Sequence, residues 1–197
     1  MSFKIVILGS GRGSNAKALL EAEQAGVLGS VETVAILSDI PDAPILNLAK
    51  KFKKPGHCIP KAGKKARLNE DEETTFVEKI LGYHPDLVVL AGFMRILDKS
   101  FIDALNGKVI NLHPSLLPSF PGIDSIKQAF DYGVTITGCT VHWVTPALDA
   151  GPIINQASVE INSEDTLDSL TEKVHRAEHK LLPSVIRKLS EQASEQS

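Results

Sequence analysis

Phe3-Lys-Ile-Val-Ile-Leu-Gly-Ser-Gly-Arg-Gly-Ser-Asn15 opens as an apolar run, breaks into three glycines, and gives way to a helical pattern at Ala16, Leu19, Leu20 and Ala22. A continuous apolar run of this length reads as a strand buried on both faces of a parallel sheet. Gly26 and Gly29 stop the helix that follows. Strand, glycine loop and helix in that order form the opening unit of an α/β fold, with ligands at the carboxyl ends of the strands. A helix N-terminus exposes unpaired amides and partial positive charge, so Gly13, Ser14 and Asn15 are candidates for holding a phosphate. The dinucleotide fingerprint would need glycine or alanine where this chain has Ser14. Asp39, at the end of a second strand Val34–Ser38, is an acid of the kind a nicotinamide cofactor's ribose uses. A single phosphate monoester suits the loop at least as well.

The pattern repeats outward from this unit. Residues 43–53 read as a helix, Gly56–Ile59 as a strand, Asn69–Leu81 as a helix with an acidic first turn, and Leu87–Ala91 as a buried strand. A short helix Ser100–Leu105 and a strand Val109–Leu112 complete a parallel series. Lys61–Arg67 reads as a basic connection. Beyond about residue 113 the style changes. Asp124–Tyr132 is a helix; Thr135–Thr145 and Ile153–Ile161 are strands whose short connection makes them antiparallel. A long last helix, Thr166–Leu189, is expected to be capped by Asn162 or Ser163 and bent at Pro183. The expectation is one α/β domain over residues 1–190: a Rossmann-like open sheet, parallel in its N-terminal half with antiparallel C-terminal strands, helices on both faces, and a frayed tail at 191–197.

The chain has 197 residues, 43% hydrophobic and 23% charged, which suits one globular core. Its net charge of −3 gives no general attraction to nucleic acid or an anionic membrane. No signal-peptide pattern and no bilayer-length apolar run are present. Cys58 and Cys139 stand far apart and form neither a metal-type pair nor a disulfide framework. A cytoplasmic location fits this cysteine usage.

The chemistry concentrates in Val109-Ile-Asn-Leu-His-Pro-Ser-Leu-Leu-Pro-Ser-Phe-Pro-Gly122. Residues two apart on a strand face one side, so Asn111 and His113 present an amide and an imidazole together. The turn-rich loop Pro146–Gly151 adds the carboxylate of Asp149. An amide donor, an acid/base and a charged partner serve acyl transfer from an amide-like donor to an amine. Cys139 sits inside a strand as core, so no covalent nucleophile is invoked.

Gly11-Arg-Gly-Ser-Asn15, Leu90-Ala-Gly-Phe-Met-Arg-Ile-Leu97, Asn111-Leu-His-Pro-Ser-Leu-Leu-Pro118 and Leu148-Asp-Ala-Gly-Pro-Ile153 together resemble the phosphoribosylglycinamide formyltransferases, folate-dependent enzymes of purine synthesis. The resemblance covers nearly the whole chain. It implies 10-formyltetrahydrofolate as co-substrate, glycinamide ribonucleotide as acceptor, no metal, no nucleic-acid or membrane partner, and a monomer or homodimer. It implies that Gly13, Ser14 and Asn15 hold the ribonucleotide phosphate, and that His175, Arg176, Ala177 and Glu178 reach the same substrate. Met94, Arg95, Ile96 and Leu97 would contact the pterin, largely through backbone groups, and Thr145, Pro146, Ala147, Leu148 and Asp149 would form a folate loop. Asn111 would polarise the formyl oxygen, and His113 would stabilise the developing charge and donate a proton. Asp149 would favour the charged imidazole and order a water. Residues 1–105 would then be a ribonucleotide-phosphate-binding half, and 106–190 a catalytic and folate-binding half. Asp124-Ser-Ile126 departs from a His-x-His common at that place, so no second catalytic histidine is assigned there. A basic folate contact expected before the third helix falls on Asn69 in straight register, and on Arg67 with a small gap.

Three rivals remain. His175-Arg-Ala-Glu-His179 matches the zinc signature H-x-x-E-H, but a third ligand is missing. A non-enzymatic nucleotide-binding module would need only the glycine loop. Other formyltetrahydrofolate-dependent transferases and hydrolases share the catalytic run, but normally carry an added RNA-binding or regulatory domain.

Overall fold

The structure is a computed structural model that describes residues 2–60 and 66–195. Seven strands form one sheet in the order β3-β2-β1-β4-β5-β6-β7. They are β1 (Phe3–Leu8), β2 (Val31–Ser38), β3 (Gly56–Cys58), β4 (Leu87–Leu90), β5 (Val109–His113), β6 (Ile136–Trp143) and β7 (Ile153–Glu160). The first five are parallel; β6 pairs antiparallel with β5 and β7 with β6. Around them lie α1 (Ser14–Gln24), α2 (Pro44–Lys51), α3 (Glu70–Leu81), α4 (Lys99–Ala104), α5 (Ser125–Tyr132) and α6 (Leu167–Glu195). The mixed α/β sheet expected from the sequence is what forms.

The apolar run of β1 serves both faces. Ile5 and Ile7 join a core with Leu19, Leu20, Ile45, Leu182 and Ile186, contributed by α1, α2 and α6. Val6 and Leu8 join a second core with Phe76, Phe101 and Leu105, under α3 and α4. A strand covered on both sides needs no polar face, which is why its sequence does not alternate. Strand order reverses between β1 and β4, and there the glycine loop and the 91–97 loop leave the sheet side by side.

Two local details differ from expectation. The last helix is capped by Thr166, whose hydroxyl accepts from the Ser169 amide while Ser169 Oγ accepts from the Thr166 amide; Asn162 and Ser163 lie upstream of this reciprocal cap. The same helix continues through the buried Pro183 and reaches Glu195, into the stretch expected to fray. Asn69 caps α3 in a complete capping box with Glu72, so its side chain is engaged in the helix start. No helix among the described residues is long and apolar enough to cross a membrane.

Candidate active site

A cavity of about 710 Å3 opens where β4, β5 and β6 meet the loops 91–97, 122–127 and 144–149. Met94–Leu97, Asn111, His113 and Thr145–Asp149 all line it. Its volume is that of a pocket for a drug-sized or cofactor-sized molecule.

Asn111, His113 and Asp149 lie together on the wall of this cavity. β5 carries Asn111 and His113. The loop after β6 places Asp149 Oδ2 3.5 Å from His113 Nδ1, and the same oxygen accepts the Gly122 amide at 2.8 Å. The other ring nitrogen, Nε2, stands 3.0 Å from the Phe120 carbonyl and 3.1 Å from Ser125 Oγ. A carbonyl only accepts, and Ser125 spends its proton on the Gly122 carbonyl at 2.9 Å, so Nε2 must donate. Each nitrogen of His113 therefore faces an acceptor. Three hydrogen bonds and the 3.5 Å contact between His113 and Asp149 close a circuit through Asp149, Gly122 and Ser125 around the imidazole. Phe120, Asp124 and Asp149 all have φ between 50° and 56°. Left-handed backbone in non-glycine residues is strained and gathers at functional sites; at Phe120 it sits in the residue whose carbonyl meets His113.

His142 was not singled out from the sequence. It lies opposite Asn111 in the β5–β6 register. Its Nδ1 donates to the Trp143 carbonyl at 2.9 Å, which leaves Nε2 to accept from Asn111 Nδ2 at 3.3 Å. Burial lowers its pKa, against the opposing pull of the Trp143 carbonyl and Asp149, so the neutral tautomer is the resting form. His142 thereby fixes which way the Asn111 amide points and leaves its second N–H for a developing oxyanion. A Cβ on Gly151 would come within 1.7 Å of that Trp143 carbonyl, so glycine is required there. Only the register shows that this histidine belongs to the site.

A second cluster joins the glycine loop to α6. Asn15 Nδ2 donates to Glu178 Oε2 at 3.0 Å, and Asn15 Oδ1 is buried without a hydrogen-bond partner. Gly13 is left-handed at φ 74°, and a Cβ there would strike Ile45 at 2.7 Å. Ser14 is exposed at the start of α1. His175 is half-buried, with its pKa lowered by burial, by His179 and by Arg12. Burial raises Glu178 to about 7.

Some expected residues fall elsewhere. Arg176 turns to solvent and pairs with Glu172, and Ala177 packs against the apolar core. Four consecutive helical residues span more than a full turn, so they cannot all face one ligand. Arg67 is exposed, bridges Ile96 along the backbone and pairs with Asp98; Ala66 lines the cavity instead. Residues 61–65 of the basic loop lie outside the described residues. The cavity lining and the Asn15–Glu178 cluster each draw on both sides of residue 105. Ser125, within the Asp124-Ser-Ile126 departure, supplies the hydroxyl beside His113. Cys139 is fully buried, and burial pushes its thiol up to about 12, which agrees with a core role.

Residues 3–186 match the model of the formyl transferase family. The chain belongs to that family. It is 37% identical over 190 residues to the phosphoribosylglycinamide formyltransferase of Bacillus subtilis (strain 168), covering 94% of each. It is 40% identical over 186 residues to the bovine trifunctional purine biosynthetic protein adenosine-3, covering 93% of this chain and 18% of that protein. Among solved structures, the phosphoribosylglycinamide formyltransferase of Coxiella burnetii superposes with a TM-score of 0.90 at 39% identity, over 98% of this chain and 89% of that one. Among the described residues no group of three His, Cys, Asp or Glu side chains is arranged for a metal ion. Glu178 of the zinc-like motif is instead engaged by Asn15.

Proposed function

We propose that this protein transfers the formyl group of 10-formyltetrahydrofolate to the amine of 5′-phosphoribosylglycinamide, in purine synthesis. The observation that carries this reading is the presence of both clusters on one fold: a cavity lined by Asn111, His113 and Asp149, and a glycine loop tied to α6 through Asn15 and Glu178. The folate ring system is assigned to the cavity between Met94–Leu97 and Thr145–Asp149, and the ribonucleotide phosphate to Gly13–Asn15. Of the α6 residues, His175 and Glu178 are retained as substrate contacts. Arg176, Ala177 and Arg67 are not.

In this mechanism the glycinamide nitrogen attacks the formyl carbon. A new C–N bond forms and the carbonyl oxygen becomes an oxyanion, held by the free N–H of Asn111 and by protonated His113. The attacking nitrogen loses a proton, the folate N10 gains one, and the bond from carbon to N10 breaks. Asp149 balances the imidazolium and orders the water that carries the proton. The test is turnover with both substrates in the presence of EDTA. Tetrahydrofolate release that depends on the ribonucleotide supports transfer. Release without it points to a hydrolase, and no release points to a binding module.

Glu178 gives a prediction about stability. Its folded pKa of about 7 stands above its unfolded value of 4.5. Between these values the folded chain holds a proton that the unfolded chain has released, so this group makes stability fall as pH rises from 4.5 to 7. Glu178→Gln removes that slope. The variant should gain more in Tm over the parent at pH 8 than at pH 5, while its KM for the ribonucleotide rises at least about tenfold, the scale of one lost charge-assisted hydrogen bond. A Tm difference that does not change with pH would mean that burial does not perturb Glu178.

A further inference from the structure

Asp39 follows β2 at the position where the sequence offered a ribose-binding acid. Its carboxylate is not free for such a role. The side chain is fully buried; Oδ1 accepts the Ser10 hydroxyl at 2.6 Å, and Oδ2 accepts Arg95 Nε at 2.5 Å. Ser10 lies just ahead of the phosphate-binding glycines, and Arg95 lies on the loop that lines the cavity. Ser10 has two further bonds to that loop: its amide donates to the Gly92 carbonyl at 3.0 Å, and its hydroxyl oxygen accepts the Met94 amide at 2.9 Å. One buried carboxylate thus ties the loop after β1 to the loop after β4, across the point where strand order reverses.

We propose that Asp39 is a positioning residue that couples the two substrate sites: it ties the ribonucleotide loop to the folate loop, so that filling either site organises the other. The inference rests on the formyl-transfer reading, because it takes the occupants of the two sites from it. The physical ground is that a buried ion pair is stable only while both partners stay in place. Arg95 lines the cavity and its side chain is 16% exposed, so its bond to Asp39 sets where the guanidinium lies relative to that space. If the pair breaks, the guanidinium is free to turn into that space, and Ser10 loses the acceptor that orients its hydroxyl. The loop therefore has a paired and a released arrangement. A phosphate that fixes the glycine loop favours the paired one, and so does a pterin seated on Met94–Leu97. Two ligands that favour one arrangement bind cooperatively, each raising the affinity of the other by the same factor.

Tetrahydrofolate and glycinamide ribonucleotide form a dead-end pair, since no formyl group is present, so binding can be measured without turnover. Trp143, the one tryptophan of the sequence, directly follows His142 of the cavity wall and gives a fluorescence signal. In the parent protein, saturating ribonucleotide should tighten tetrahydrofolate binding about fivefold or more, within the usual range of coupling. Asp39→Asn should bring that factor close to one. Ser10→Ala, which removes the hydroxyl links to Asp39 and Met94 but keeps the Ser10 amide bond to Gly92 and the Asp39–Arg95 pair, should reduce it in the same direction, and it serves if the first variant folds poorly. Simple destabilisation would lower Tm and the active fraction but leave the factor unchanged in the protein that binds. If both ligands bind the parent but the factor is one, or persists in both variants, the coupling proposal is wrong and formyl transfer stands. If neither ligand binds the parent, it is the formyl-transfer reading that fails.

Discussion

Replacing His113 by alanine is expected to lower kcat about a hundredfold to ten-thousandfold, with the Kd for glycinamide ribonucleotide changed less than about threefold. The magnitude is that of losing an oxyanion-stabilising or acid/base group, roughly 3–5 kcal/mol in the transition state. The selectivity follows from geometry. The imidazole is buried beside Asp149, Phe120 and Ser125, whereas the ribonucleotide cluster of Asn15 and Glu178 shares none of these partners. Removing the ring leaves the Phe120 carbonyl and the Asp149 carboxylate short of a donor, so some loss of stability is expected. His113→Asn, which keeps a donor in the same place, is the companion variant. Steady-state kinetics and fluorescence titration check the prediction. Turnover near that of the parent in either variant would remove His113 from the mechanism.

Asp149→Asn should cost about a hundredfold in kcat while leaving tetrahydrofolate bound. Asparagine is the informative choice because it tolerates the left-handed backbone found at this position, φ 50°. An amide oxygen can still accept the Gly122 amide, so what disappears is the charge facing His113 at 3.5 Å and His142 at 3.8 Å. The protonated imidazole that holds the oxyanion would lose its counter-charge. A second readout is independent of rate. Burial lowers the pKa of His142, and the Asp149 carboxylate opposes that shift. Neutralising Asp149 should move His142 further down, measured by NMR titration of its ring protons. An unmoved His142 together with an unchanged kcat would mean that Asp149 does not act electrostatically in this site.

Much of the fold was readable because its signals are local. The apolar run of β1, the glycines after it, the helical spacing at Ala16, Leu19 and Leu20, and the β-branched character of β6 each depend on neighbours within a few residues. Asn111 and His113 were readable for the same reason, since two residues apart on one strand share a face whatever the strand pairs with. The weaker expectations extended contiguity too far. Reading His175–Glu178 as one contact surface ignores that Arg176 and Ala177 point around the helix, one to solvent and one to the core. Taking Arg67 as a cavity residue ignores that a backbone bridge to Ile96 turns its side chain toward Asp98.

By itself the sequence determined the class of fold, the glycine loop that opens it, and the amide, imidazole and carboxylate that line the cavity, because each is written in residue type and short-range spacing. Only the tertiary structure decided what surrounds them. Whether His142 stands opposite Asn111 depends on strand register. Whether Asp39 meets a ribose or Arg95 depends on which loop lies beside β2, and the donors and acceptors that orient His113 come from the backbone of a turn. These are contacts between residues 7 to 56 apart in the chain, chosen by the packing of two cores against one sheet, and no local pattern encodes them.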